Sequence, residues 1–252
     1  MKPINDLTKD VLKDIKLIVF DVDGVLVPRG TKIKQANNIT TLHTKHIAQE
    51  QIDQIKKLRE LGFLINVSSG RGLYMLQEVF RGILPFASLT YENGSATWID
   101  GQIVQHINSF KYLTDLFLEL RGIEVEKNVK GFEPKEFIMT IHCEDRVKKI
   151  EDIVSKYKDL YCLWNGEAYD IGVKGIQNKA IGLTALQNYL NLEKKNVLAI
   201  GDNLNDKEMI DAAGIAVSAD KTRIEGDFFV PLEGEFLPAD LMMRQIIKEF
   251  SR

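Results

Sequence analysis

The stretch Leu17-Ile18-Val19-Phe20-Asp21-Val22-Asp23-Gly24-Val25 decides the fold. Four apolar residues run unbroken and then stop at acid and glycine. A strand with one wet face alternates apolar and polar residues, whereas an unbroken run suits a strand buried on both faces of a parallel sheet. Working outward, Ala48, Ile52, Ile55, Leu58 and Leu61 recur at helical spacing, and Gly62 follows as a stop signal. Residues 63–67 read as a second strand that ends in Ser68-Ser69-Gly70-Arg71. A helix over 73–80 and a short strand at Ser88-Leu89-Thr90 continue the alternation. Strand, helix, strand and helix in this order imply an α/β fold with a Rossmann-like, doubly wound parallel sheet.

After Glu92-Asn93-Gly94 the pattern changes. Residues 96–98 and 102–104 flank Asp100-Gly101, and residues 160–164 and 168–171 flank Asn165-Gly166, both signals for hairpins with tight turns. Between them the spacing predicts a helix over 113–120, a strand over 137–142 and a helix over 146–157. An antiparallel sheet covered by two helices is expected, an α+β insert over 94–174 in a core made of 1–93 and 175–252. The α/β alternation resumes with a helix over 179–190 and a buried-type strand over 197–200 that runs into Gly201-Asp202. A helix over 207–213, strands over 215–217 and 228–230, and a closing helix over 238–250 complete the chain.

Composition narrows the function. The 252 residues carry a formal net charge of -3, so there is no basic footprint for nucleic acid. Cys143 and Cys162 are too few for a disulfide framework and lack a metal-ligand spacing. The first 15 residues mix Lys, Asp and apolar side chains, unlike a secretory signal, and no stretch approaches the ~20 apolar residues of a membrane span. A cytoplasmic protein without a membrane partner is expected. Oligomeric state leaves no mark in the sequence.

In an open parallel sheet, ligands bind beyond the carboxyl ends of the strands. The first strand delivers Asp21 and Asp23 to that edge, the second Ser69, Gly70 and Arg71, and another Asp202, Asn205 and Asp206. Carboxylates crowded together repel, and each raises the pKa of the next, a conflict that a divalent cation removes. All-oxygen ligation favours Mg2+, which suits phosphate substrates. The ion would shield a phosphate dianion and let a carboxylate attack phosphorus. The Ser69 hydroxyl, the backbone N–H groups around Gly70, Asn205 and Lys179 are the expected phosphate-binding groups, Lys179 also answering charge that builds in the transition state.

Asp21-Val22-Asp23-Gly24-Val25 resembles the first motif of the haloacid dehalogenase-like phosphatases. Ser69 before Gly70-Arg71 resembles their second, Lys179 their third, and Gly201-Asp202-Asn203-Leu204-Asn205-Asp206 their fourth. The four occur in family order from Leu17 to Asp206. The resemblance implies that Asp21 is the nucleophile that forms an aspartyl-phosphate, and that Asp23 is general acid and then base. It implies magnesium held by Asp21, the backbone carbonyl of Asp23, and Asp202, with Asp206 in support. Dehalogenases of the family lack the second acid, so Asp23 assigns the chemistry to a phosphate ester. Glu92-Asn93-Gly94 resembles the hinge of members whose cap follows the third strand, the Cof-type sugar-phosphate phosphatases, sucrose- and trehalose-phosphate phosphatases and phosphomannomutases. That implies a small-molecule phosphate ester substrate, a sugar phosphate or related metabolite, selected by cap residues between Ser95 and Lys174.

Some positions stay open at this level. Residues 27–46 exceed the hairpin usual after the first motif and suggest a lid or a partner contact. Lys174 competes with Lys179, and Ser68 with Ser69. Arg71 fits an active-site role and a surface ion pair equally. His142 and Cys143 fit half-buried cap positions better than ligands, His43 and His46 a solvated surface, and Trp98 and Trp164 a cap core. A phosphomutase that returns the phosphoryl group to a sugar, and a silent binding protein with the same fold, are the rival readings.

Overall fold

The computed structural model describes residues 1–36, 39–124, 126–231 and 235–251. The chain divides into two compact units, Met1–Arg29 with Lys45–His106 and Asn178–Arg252, and Gly30–Thr44 with Ile107–Gln177. Numbered in chain order, the strands of the first unit are β1 (Lys2–Pro3), β2 (Leu17–Phe20), β5 (Leu64–Ser68), β6 (Ala87–Tyr91), β7 (Ala96–Ile99), β8 (Gln102–Gln105), β13 (Val197–Gly201), β14 (Ile215–Ser218) and β15 (Phe228–Phe229). They form one sheet in the order β1-β15-β14-β13-β2-β5-β6-β7-β8. Every pair from β1 across to β6 is parallel, and β7 and β8 run antiparallel at the far edge.

β2 lies in the middle of this sheet, and all four of its side chains are buried. Leu17 and Val19 pack with Leu183 and Leu186 of α5 (Lys179–Leu190) and with Met209 and Ile210 of α6 (Lys207–Asp211). Ile18 and Phe20 alternate to the opposite face. On that side α1 (Gln49–Glu60) packs against both β5 and α7 (Pro238–Phe250). A strand covered on both faces has no position for a polar side chain until it leaves the sheet, which is why the apolar run stops at Asp21. α2 (Leu73–Val79) completes the core and packs against β6.

The 96–105 hairpin differs from the expectation that placed it in the insert. β7 pairs with β6, Leu89 opposite Trp98, and so extends the core sheet. A buried hydroxyl pair fixes that register, Thr90 Oγ1 lying 2.9 Å from Thr97 Oγ1. Sequence predicts the turn itself, since Asp100 and Gly101 both take positive φ, as a primed two-residue turn requires. The alternation of a two-stranded hairpin is the same whichever sheet it joins.

The second unit holds a four-stranded antiparallel sheet in the order β11-β12-β10-β9. Its strands are β9 (Val129–Glu133), β10 (Met139–Cys143), β11 (Leu160–Trp164) and β12 (Ala168–Val173). Ile141, Cys143, Tyr169 and Ile171 form one core with Leu113, Leu116 and Leu120 of α3 (Phe110–Leu120) and Ile150 and Val154 of α4 (Lys148–Val154). The expected α+β insert covered by two helices is present. β9 has no counterpart among the expected elements, because Val129-Lys130-Gly131-Phe132-Glu133 has no run of apolar residues to announce it. The 27–46 segment folds largely into β3 (Lys32–Ala36) and β4 (Ile39–His43), an antiparallel pair whose first strand lies against β9. Asn37 and Asn38, between them, lie outside the described residues. Among the described residues no helix is long and apolar enough to cross a membrane.

Candidate active site

Parallel register brings the carboxyl ends of three strands together. Phe20 of β2 is level with Ile200 of β13 on one side and Val67 of β5 on the other. Asp21 therefore emerges between Gly201-Asp202 and Ser68-Ser69. The Asp21 N–H donates to the Ile200 carbonyl at 3.0 Å, which carries the pairing one residue past the strand.

Carboxylate oxygens of Asp21, Asp202 and Asp206 lie within 4.8 Å of one another, and all three residues are buried. Asp206 is held by its own loop, its Oδ2 accepting the N–H groups of Asp202 and Asn203 at 3.1 Å. Lys179 Nζ donates to Asp21 Oδ1 and to Asp206 Oδ1, and its side chain is only 2% exposed. The position of Lys179 is set from both ends of its turn. Asn178 caps α5, its Oδ1 accepting the Ile181 N–H at 2.9 Å. Gly94 packs on the same turn, where a Cβ would stand 2.3 Å from the Asn178 carbonyl oxygen. With Gly94 at a φ of +82°, only glycine fits there without moving backbone. Glu92-Asn93-Gly94 thus seats Lys179. The same loop holds the Ser69 turn, with the Asn93 N–H on the Ser69 carbonyl and the Glu92 N–H on the Arg71 carbonyl, each at 3.1 Å. Lys174, in the second unit, is exposed and its ammonium donates to the Lys158 carbonyl.

Asp23 does not join the carboxylate triad. Arg71, 7% exposed, grips it with two parallel bonds, Nε to Oδ2 at 2.9 Å and a terminal N–H to Oδ1. Arg71, left open between a surface ion pair and a place beside the carboxylates, is buried and paired with Asp23. Ser69 Oγ accepts the Arg71 N–H at 3.2 Å, while Ser68 Oγ is buried without a hydrogen-bond partner among the described residues. Gly70 lies beside Asn93, whose Oδ1 would be 3.0 Å from an added Cβ. Asn205 is exposed on the loop of the fourth motif, next in the chain to Asp206.

Burial pushes the Asp21 carboxyl up to about 8, helped by the charge of Asp206 and opposed by Lys179. Burial also raises Asp202. Lys179 moves up because its two carboxylates outweigh its desolvation. A site that makes a buried carboxyl hard to ionise fits a cation. Asp202 Oδ1 adds a direct observation, being buried beside the other two carboxylates with no hydrogen-bond partner among the described residues. An all-oxygen set of three carboxylates suits a hard divalent ion such as magnesium.

Two groups of residues escaped the sequence. Arg29 donates to Asp202 Oδ2. In the second unit, Lys135 Nζ reaches Thr140 Oγ1 at 2.6 Å and Glu133 at 3.4 Å, and Glu133 accepts from or pairs with His142 Nε2 at 3.0 Å. His142 is thus tied to a buried carboxylate. Cys143 belongs to the cap core, and Trp164 stacks on Tyr169 there, with ring centroids 4.8 Å apart. His43 and His46 are exposed.

Comparison with known proteins identifies the family. The model of the haloacid dehalogenase-like hydrolases matches residues 18–120 and 108–222, and the chain belongs to that family. Within it the chain is an enzyme of the phosphatase group. A 5-amino-6-(5-phospho-D-ribitylamino)uracil phosphatase of Bacillus subtilis is 27% identical over 224 residues, 81% of this chain and 84% of the relative. A phosphoglycolate phosphatase of Sulfolobus acidocaldarius is 26% identical over 225 residues, 85% of this chain and 89% of the relative. A solved structure from Eubacterium rectale superposes with a TM-score of 0.69 at 18% identity, covering 94% of this chain and 99% of the other, and shows the shared fold.

Proposed function

We propose that the protein is a magnesium-dependent, cytoplasmic phosphatase that hydrolyses the phosphate monoester of a small metabolite, such as a sugar phosphate, through an aspartyl-phosphate at Asp21. The observation that carries this is the gathering of Asp21, Asp202 and Asp206 within 4.8 Å, with Lys179 bonded to two of them. Both curated relatives quoted above are named as phosphatases of small phosphorylated metabolites.

Asp21 attacks phosphorus, and the bond from phosphorus to the leaving oxygen breaks. Asp23 delivers the proton that the leaving oxygen needs. Each Asp23 oxygen accepts one Arg71 N–H and keeps a second lone pair, so the carboxyl is held in place yet can still carry that proton. Asp23 then takes a proton from water, the water attacks the aspartyl-phosphate, and phosphate leaves with Asp21 regenerated. Asp21, Asp202 and Asp206 would hold a divalent cation, which would supply positive charge that favours the ionised form of Asp21 and offsets the charge of a phosphate ester. Lys179 holds Asp21 in line and answers charge on the equatorial oxygens, with Ser69 and the N–H groups around Gly70 as further donors.

Asp21→Asn tests this reading. An amide cannot serve as the attacking carboxylate, so phosphate release from a panel of phosphorylated metabolites in magnesium should vanish while the circular-dichroism melt stays cooperative. Turnover by the variant above background would sink the mechanism. Isomerisation of a sugar phosphate by the unaltered protein without phosphate release would reassign it to a mutase.

A further inference from the structure

Among the described residues, Lys179, Arg71 and Arg29 bond to the carboxylates of the candidate site, and they differ in what they can still do. Lys179 is 2% exposed and spent on Asp21 and Asp206. Arg71 is 7% exposed and holds both oxygens of Asp23. Arg29 is different: its side chain is 52% exposed, and one terminal N–H goes to Asp202 Oδ2. A guanidinium has five N–H donors in a planar fork, which leaves most of this one facing solvent.

The Arg29 contact is built into the first motif. Gly24, at a φ of +89°, leaves the space in which the pair meets, since a Cβ there would stand 2.7 Å from Asp202 Oδ2 and 3.0 Å from Arg29 Nε. Asp202 is shared between two tasks. Oδ2 accepts from Arg29, while Oδ1, without a hydrogen-bond partner among the described residues, would be open to a metal ion. Arg29 also lies near enough to feel the charges of Asp21 and Asp23. A fixed, half-exposed fork beside the reacting carboxylates matches a planar anion.

We propose that Arg29 is a specificity-determining residue that recognises a second anionic group, a carboxylate or a second phosphate, on the leaving part of the substrate. The proposal rests on the phosphatase reading above and narrows it from phosphate esters in general to those whose alcohol carries its own negative charge. A neutral polyol phosphate would leave the Arg29 fork with water.

Matched pairs of esters provide the test. One pair is 2-phosphoglycolate and 2-hydroxyethyl phosphate, which differ by a carboxylate; the other is propane-1,3-diol bisphosphate and monophosphate. The unaltered protein should favour the anionic member of at least one pair by about 10–100-fold in kcat/KM, the worth of one charge-assisted hydrogen bond. Which pair responds distinguishes carboxylate from phosphate. Arg29→Gln should collapse that ratio toward one, and Arg29→Lys should restore part of it. A ratio near one in the unaltered protein, or a preference that survives in Arg29→Gln, would overturn the proposal. Binding of the same esters to Asp21→Asn and to Asp21→Asn/Arg29→Gln, measured by calorimetry with magnesium, gives a readout that needs no turnover. Charge-selective binding lost only with Arg29 supports the proposal even if hydrolysis fails, and equal binding of both members by Asp21→Asn refutes it even if hydrolysis succeeds.

Discussion

At the scale of single residues, the candidate site depends on Asp21 being both buried and charged. Burial and the neighbouring Asp206 push its carboxyl up to about 8. A metal ligand must be ionised, so below that point cation binding has to expel a proton. Magnesium affinity should therefore rise by up to about tenfold per pH unit as pH increases toward about 8, and flatten above it. Calorimetric titration across that range checks the slope, and an affinity independent of pH would show that Asp21 is already ionised without the metal. Asp21, Asp23, Asp202 and Asp206 were readable as candidates because residue type and order alone single them out, whereas Lys179 was legible only as one of two lysines. Arg29 was not, since one arginine after Pro28 has nothing in its neighbours to separate it from a solvated surface charge.

At the scale of elements, the strands adjoining the site share a line of buried polar groups. Asn66 of β5 donates to Ser88 Oγ and Thr90 Oγ1 of β6, Thr90 meets Thr97 of β7, and Thr97 Oγ1 lies 2.9 Å from His106 Nε2. Such groups hold the sheet in register only while each keeps its partner. Burial lowers the His106 pKa below its ordinary 6.5. The unfolded chain thus takes up a proton at a pH where the folded protein does not. This contribution to stability is fully present above 6.5 and is lost as pH falls from there toward the folded value. Thermal melts should show the unaltered protein losing more stability than His106→Gln between about pH 7 and about pH 5. Parallel loss in both proteins would remove His106 as the cause. Most of the elements were legible from period and punctuation. The membership of β7 and β8 was not, because a hairpin's alternation reports that one face is buried and not against what.

At the scale of the whole molecule, two units carry separate cores. Leu17, Val19, Val197 and Ala199 belong to one cluster, and Leu116, Ile141, Ile150 and Ile171 to another, with no residue in common. Deleting buried carbon from one core should be felt there first. Ile141→Ala, at a fully buried position of β10, is expected to cost about 2–5 kcal/mol. Scanning calorimetry should show that loss in the transition of the second unit, with the first unit's transition nearly unmoved. A uniform fall of one shared transition would mean that the two cores melt as one.

The unbroken run from Leu17 to Phe20 was enough to determine a doubly covered parallel strand, and the acids after it were enough to mark the edge where chemistry belongs. Local chain patterns encode burial on one or both faces, and motif order encodes which strand ends carry which groups. Only the tertiary structure decided that Lys179 rather than Lys174 meets Asp21, that Arg71 closes on Asp23, and that Arg29 is anchored on Asp202. Those pairings join residues 48 to 173 positions apart. Chain separation of that size leaves no periodicity to read, and distance in space is set by the packing of strands and helices between them.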